Sequence, residues 1–382
     1  MKKKIVTVIG ARPQIIKSAA LSRSIAKSFN RQIEEVIIHT GQHYDENMSK
    51  VFFEELEIPS PKYNLGVGSG THGTMTAKMI DGLEKIFLSE MPDAVVIYGD
   101  TNSTLAAALA AAKIHMPVIH IEAGLRSFNK SMPEEINRIT ADHMSTMLFS
   151  PTKNGIENLI KEGFIENNSS KASIDNPKIY HCGDVMFDNS LYYSDKSDRF
   201  ANILEELNLS QKKFILCTIH RDSNTDIKNN LTAIFESLIE IANSENISIV
   251  IPIHPRTKKK INELLDEKIL NEIRTNPNFL LLPPAGFLDI ISLEKKSTLI
   301  ITDSGGLQKE AYFFKKPCII LREQTEWVEI VENGNALIAG ANKNLIIDGT
   351  RKLLKKKDFS YPDFYGDGSA AEFILKKIIS EL

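Results

Sequence analysis

A chain of 382 residues, 42% apolar and 25% charged, is long enough for two domains with buried cores. A net charge of −3 leaves no basic field that would attract nucleic acid. Three well-separated cysteines, Cys182, Cys217 and Cys318, fit neither a disulfide framework nor a metal knuckle, so they read as free thiols in a reducing compartment.

The chain opens on Lys2-Lys3-Lys4 followed by the apolar run Ile5 to Ile9, which mimics the start of a signal peptide. That run is short and passes into Arg12-Pro13 without a cleavage site. No stretch reaches membrane-spanning length, so the expectation is a cytoplasmic protein with no membrane partner. Apolar, β-branched runs predict strands at 4–9, 35–40, 94–98, 117–121, 146–150, 178–182, 213–219, 247–253, 279–282, 298–302, 317–321 and 336–339. Amphipathic segments such as 14–28, 72–90, 102–115, 228–243 and 257–274 predict helices between them.

Strand–helix alternation of this kind implies parallel sheets with crossover helices. Runs nearly continuous in Val and Ile imply strands covered on both faces. About a dozen strands exceed one tidy open sheet, so the sequence predicts an α/β protein of two Rossmann-type, doubly wound domains. The polar stretch 166–171 marks the expected join, giving domains at 1–172 and 173–368, with a C-terminal helix at 369–382 crossing back onto the first. The lysine runs 258–260 and 355–357 read as solvated helix faces.

Open parallel sheets bind ligands beyond the carboxyl ends of their strands, so the residues that follow each strand are the candidates. With two such domains the expected site is the cleft between them. After the first strand come Gly10-Ala11-Arg12-Pro13, with Lys17 one turn on. Two cations at the positive end of a helix are unfavourable unless they share an anion, and a phosphate would serve. After 94–98 comes Asp100, which would also suit a helix cap. Glu122 directly ends the run 117–121, where burial would raise its pKa. Glu134 and Glu135 open a helix behind Pro133, where acidic residues complement the helix dipole. Singly, each carboxylate has an ordinary explanation; three on one rim are harder to dismiss.

In the second half, His220 ends the strand 213–219 and His254 follows 247–253, each a candidate acid or base and each equally suited to a structural bond. The stretch Thr302-Asp303-Ser304-Gly305-Gly306 turns a strand into a helix. Two glycines there admit a close ligand, and the helix N-terminus offers unpaired N–H groups, together a phosphate seat. Glu310, one to two turns further, is placed to accept from a ribose diol. No G-x-G-x-x-G opens the first helix and no metal-binding motif is present, so neither a nicotinamide cofactor nor a metal is indicated.

The series G-A-R-P-Q-I-I-K, G-D-T-N-S-T, H-I-E-A-G-L-R, P-E-E-I-N-R, T-I-H-R, T-D-S-G-G-L-Q-K-E-A and Y-G-D-G-S-A, in register from residue 5 to about 375, resembles the non-hydrolysing UDP-N-acetylglucosamine 2-epimerase family. The resemblance implies a GT-B-like fold closing on a UDP-sugar, elimination of UDP to a bound glycal and re-addition with C2 inverted, no cofactor, and a homodimer. It carries Asp100, Glu122, Glu134 and His220 over as catalytic, and leaves open which carboxylate removes the C2 proton. Arg12, Lys17 and His220 would lie near the pyrophosphate, and Ser304, Gly305, Gly306 and Glu310 would hold phosphate and ribose. Four variants, Asp222-Ser223-Asn224, Thr325 to Glu329, the short link Ser127 to Met132, and His39 to Asp45, resemble the branch acting on UDP-2,3-diacetamido-2,3-dideoxy-glucuronate, an O-antigen precursor. A uronate substrate would bring a carboxylate to be met by Arg126, Lys130 or Arg256. A glycosyltransferase, a hydrolysing epimerase and a UDP-sugar-binding regulator are the competing readings.

Overall fold

The computed structural model describes residues 2–42, 53, 56–165 and 171–382. His43 to Asp45 of the variant motif, and the stretch 166–170 of the expected join, lie outside them. The chain divides into two compact units, Met1–Asn189 with Asp363–Leu382, and Ser190–Pro362.

The first unit is built on seven parallel strands: β1 (Lys3–Ile9), β2 (Ile33–His39), β3 (Tyr63–Asn64), β4 (Ala94–Tyr98), β5 (Val118–Ile121), β6 (Met147–Ser150) and β7 (Lys178–His181). Their order is β3-β2-β1-β4-β5-β6-β7, so the winding reverses between β1 and β4. In β1 and β4 the residues Ile5, Val6, Val95, Val96 and Ile97 are fully buried, as strands covered by helices on both faces must be. Helices Arg12–Ser24, His72–Glu90 and Asn102–Lys113 supply that cover, the last through an alanine row that lets it lie close to the sheet.

The second unit repeats the plan with β8 (Phe214–Thr218), β9 (Ser248–Pro252), β10 (Phe279–Leu282), β11 (Leu299–Thr302), β12 (Cys318–Ile320) and β13 (Ala336–Ile338). The order β10-β9-β8-β11-β12-β13 places its reversal between β8 and β11. Its core joins Ile215, Cys217, Ile249, Ile251, Leu299 and Ile301 to the apolar face of helix Lys228–Ser244.

Three features differ from the sequence reading. β3 is only Tyr63–Asn64, too short to leave a periodicity. The segment 257–274 is two helices, Pro255–Leu264 and Glu267–Thr275, because the chain turns extended at the buried Leu265. The expected boundary after residue 172 falls before a strand that pairs with β6, so the first unit continues to Asn189.

The C-terminal helix Ala370–Glu381 belongs to the first unit. Asp188 accepts from Ala370 N at 3.1 Å and Ala371 N at 2.8 Å, and Tyr180 donates to Glu381 at 2.9 Å. All three cysteines are free; Cys217 and Cys318 are buried and Cys182 is half-buried, and burial pushes each thiol up. Among the described residues no helix is long and apolar enough to cross a membrane.

Candidate active site

The polar groups of the first unit gather where β1, β4 and β5 end. At the end of β1 the chain turns through Gly10, where a Cβ would overlap the hydroxyls of Thr40 and Ser103. Gln14, buried one turn on, accepts from Gly10 N at 2.9 Å and from the N-cap residue Ala11 N at 3.1 Å, satisfying two donors of the turn into the helix. Its amide donates to Tyr98 O and Thr104 Oγ1, both at 3.0 Å, so one side chain ties the β1 turn to the β4 turn.

Lys17, on the same helix, pairs with Glu122, and the two side chains are only 14% and 11% exposed. The floor beneath them is Gly99, whose φ is +60° and whose absent Cβ would sit 3.1 Å from Glu122 Oε2 and 3.2 Å from Lys17 Nζ. Glu122 is itself left-handed, with φ +75°, a strained backbone for a residue with a side chain.

Asp100 pairs with Arg138. Burial pushes the Asp100 carboxyl above its usual range; Arg138 and Lys17 pull it back, and the like charges of Glu122 and Glu134 add to the rise. Asp100, Glu122, Glu134 and Lys17 therefore share one electrostatic neighbourhood. Glu134 is exposed in the first turn of helix Pro133–His143. Its neighbour Glu135 is buried, accepting from Ser127 N at 2.9 Å, Phe128 N at 2.9 Å and Arg138 at 2.7 Å. One glutamate of the pair is thus a scaffold for the preceding loop, and the other is open. Arg12 is exposed at the helix start.

Arg126 differs from its expected role as a sugar contact. Its side chain is 1% exposed and bound to Asp142 at 2.7 Å and Glu162 at 2.6 Å, because the chain turns inward after the positive-φ Gly124. Lys130 is exposed, while Arg256 is exposed but paired with Asp222 and Asp226.

In the second unit the reversal between β8 and β11 brings His220 beside Asp303, with Nδ1 and Oδ1 at 2.8 Å. Asp303 also accepts from His220 N at 3.0 Å, Arg221 N at 3.0 Å and Asn224 Nδ2 at 3.0 Å. Burial alone would raise this carboxyl, but His220, Asn224 and the backbone donor hold it below the usual range. The His220 side chain is half exposed, so its remaining ring nitrogen faces outward from a fixed mount.

Immediately after Asp303, Ser304 caps the helix Gly305–Phe313 and accepts from Leu307 N at 3.4 Å. Gly305 and Gly306 open that helix, whose first N–H groups have no acceptor within it. Arg322 and Glu326 form a doubly bonded pair, both contacts 2.8 Å, and Arg322 Nη1 lies 3.6 Å from where a Gly305 Cβ would be. Trp327 Nε1 donates to Gly305 O at 3.0 Å, fixing the turn from outside. Glu310 is 9% exposed on the same helix. His254 instead caps helix Pro255–Leu264 through Arg256 N.

The residues that brace these turns, Gln14, His120, Arg138, Asp142 and Asp303, are assigned no role by the sequence, and Arg322 only that of a polar group at a strand end. Gln14, His120, Arg138 and Asp303 stand inside the motifs given above, and a polar residue within a glycine turn, an apolar strand or directly behind a glutamate pair is the available signal.

Two parallel sheets, of seven and six strands with the same kind of reversal, one bearing clustered carboxylates and the other a glycine-rich helix start beside His220, have the form of nucleotide-sugar enzymes. The chain belongs to the non-hydrolysing UDP-N-acetylglucosamine 2-epimerase family of isomerases, whose description matches residues 27–379. It is 46% identical over 376 residues, 98% of both chains, to a UDP-N-acetylglucosamine 2-epimerase homolog of Methanococcus maripaludis. It is also 46% identical over 381 residues, 98% of this chain and 99% of the relative, to the UDP-2,3-diacetamido-2,3-dideoxy-D-glucuronate 2-epimerase of Pseudomonas aeruginosa. Among solved structures, the UDP-GlcNAc 2-epimerase of Methanocaldococcus jannaschii in complex with UDP-GlcNAc and UDP matches with TM-score 0.86, 41% identity and 99% of both chains covered.

Proposed function

We propose that this enzyme inverts C2 of UDP-2,3-diacetamido-2,3-dideoxy-glucuronate to give the manno epimer, through a bound glycal. A carboxylate takes the C2 proton, the C2 electron pair forms the C1–C2 double bond, and the C1–O pair leaves with UDP. UDP oxygen then re-adds at C1 while a second acid delivers a proton to the opposite face of C2. The observation that carries this reading is the joint environment of Asp100, Glu122, Glu134 and Lys17 at the ends of β4 and β5, in which burial and like charge raise the Asp100 carboxyl above its usual range. Lys17 and Arg12 are the cations assigned to the departing pyrophosphate, and His220 the group that supports it. Ser304, Gly305 and Gly306 are assigned to phosphate, and Glu310 to ribose.

The uronate is favoured by the Pseudomonas relative and by Lys130, the exposed cation of the loop that ends at the carboxylate helix. The same reading places a homodimer in the cytoplasm, supplying surface-polysaccharide synthesis. UDP-N-acetylglucosamine is the second reading, favoured by a Methanocaldococcus jannaschii relative, 42% identical over 375 residues, described as a UDP-N-acetylglucosamine 2-epimerase.

Proton NMR in deuterated water separates the two, with each nucleotide sugar incubated in parallel. Deuterium at C2 of a manno product from the uronate alone is the expected outcome. Turnover of the neutral sugar alone overturns the substrate assignment, and free UDP without an epimerised nucleotide sugar overturns the mechanism.

A further inference from the structure

Two fully buried titratable groups of the first unit stand outside the chemistry described so far. His120 lies inside β5 and Asp142 near the end of helix Pro133–His143, and neither side chain is exposed. The ring of His120 is bonded at both nitrogens, Nδ1 to Asp142 Oδ1 at 2.7 Å and Nε2 to the carbonyl oxygen of Gly99 at 2.8 Å. The other oxygen of Asp142 accepts from Gly124 N at 3.1 Å and pairs with Arg126 at 2.7 Å.

The places where this network touches the backbone are telling. Gly99, with φ +60°, immediately precedes Asp100 and floors the Lys17–Glu122 pair. Gly124, with φ +79°, follows Glu122 by two residues, and Glu122 itself is held at φ +75°. A strained backbone persists only when its surroundings over-determine it. One carboxylate, acting directly on Gly124 and through one imidazole on Gly99, supplies that over-determination at both turns.

We propose that Asp142 and His120 are positioning residues that clamp the Asp100 and Glu122 turns to each other, setting the proton-transfer geometry at C2. The proposal rests on the epimerase reading and is indifferent to which UDP-sugar is the substrate. Both partners of the imidazole are acceptors, so the clamp closes fully only when both ring nitrogens carry protons. Both oxygens of Asp142 are engaged, and Arg126 holds the network's far end through Glu162 at 2.6 Å. Nothing in this arrangement can reach a substrate. Its effect passes through backbone placement, where an error of about 1 Å is worth about a hundredfold in rate.

The test uses Asp142→Asn and His120→Gln, assayed with whichever UDP-acetamido sugar the wild type turns over, in protonated and C2-deuterated forms. Failure of the uronate assignment would appear in the wild type; failure of the clamp appears only in the variants. Expected is a fall of about a hundredfold in kcat, with KM and UDP affinity within about twofold, and a larger C2 deuterium isotope effect as proton transfer becomes limiting. Nitrogen NMR of wild-type His120 should show protons on both ring nitrogens.

A purely structural role gives a different pattern, because surviving folded molecules react as wild type. A kcat loss that tracks the folded fraction, with the isotope effect unchanged, would overturn the proposal, and so would near-wild-type kcat in both variants.

Discussion

Asp100 and Asp303 occupy equivalent places, each at the turn that follows a strand on the sheet reversal of its own unit, yet their surroundings drive them in opposite directions. Asp303 is completely buried and would rise for that reason, but His220, Asn224 and the backbone donor keep it ionised. Asp100 is also raised by burial, and there Arg138 and Lys17 are outweighed, with Glu122 and Glu134 adding like charge. A carboxylate wrapped in donors stays ionised, and one crowded by other carboxylates is drawn toward its protonated form. On the proposed mechanism the difference between the units is a division of labour: proton chemistry on the first, mounting of His220 and of the phosphate-binding turn on the second.

The comparison breaks most readily at the first unit. Asp100→Asn and Glu122→Gln should each lower kcat by about 10²–10⁴-fold while equilibrium dialysis finds UDP still bound. If Asp100→Asn turned over at the wild-type rate, the raised carboxyl would have no part in proton transfer. Gly99→Ala comes next. Its φ of +60° and the 3.1 and 3.2 Å approaches to Glu122 and Lys17 predict about 1–3 kcal/mol of lost stability, read from a denaturant midpoint, and a displaced ion pair.

On the second unit, Asp303→Asn keeps the shape but exchanges an acceptor for a donor facing N–H groups. Losing charged hydrogen bonds of this kind costs about 1.5–3 kcal/mol, and freeing His220 should weaken UDP binding. Unchanged dialysis with UDP would show that the His220 mount has no bearing on the seat. Smaller again, Lys130→Met should raise KM for the uronate severalfold and leave that for UDP-N-acetylglucosamine unaffected. Equal effects on both would remove Lys130 from uronate recognition.

Much of this contrast was readable from the chain. Twelve apolar runs became strands because strands covered on both faces must be apolar throughout, and Ser304, Gly305 and Gly306 announced the turn from strand into helix. What escaped notice depends on pairing across the fold. His120 sits in an otherwise apolar run, and its partner Asp142 is 22 residues away on another element, so nothing local distinguishes it from a core residue. Arg126 follows a strand as a ligand-binding cation would, but Asp142 and Glu162 claim it. The polar stretch before residue 172 suggested the domain join, and only the pairing of β7 with β6 shows that the sheet continues past it.

The opposite displacement of the two aspartates gives the mildest test, because it asks for a sign. Asp303 is lowered in the folded state, so the stability it contributes is present above the ordinary Asp pKa of about 3.9 and drains away as pH falls below it. Asp100 is raised, so between that value and its own pKa the folded chain holds more protons than the unfolded one, and stability falls as pH rises. Urea midpoints measured from acid to neutral pH should therefore show Asp303→Asn flattening the acid limb. Asp100→Asn should gain on the wild type toward neutral pH and lose that gain in acid. Parallel pH profiles for both variants would mean that the two carboxylates carry the same role, and the division of labour between the units would have to be abandoned.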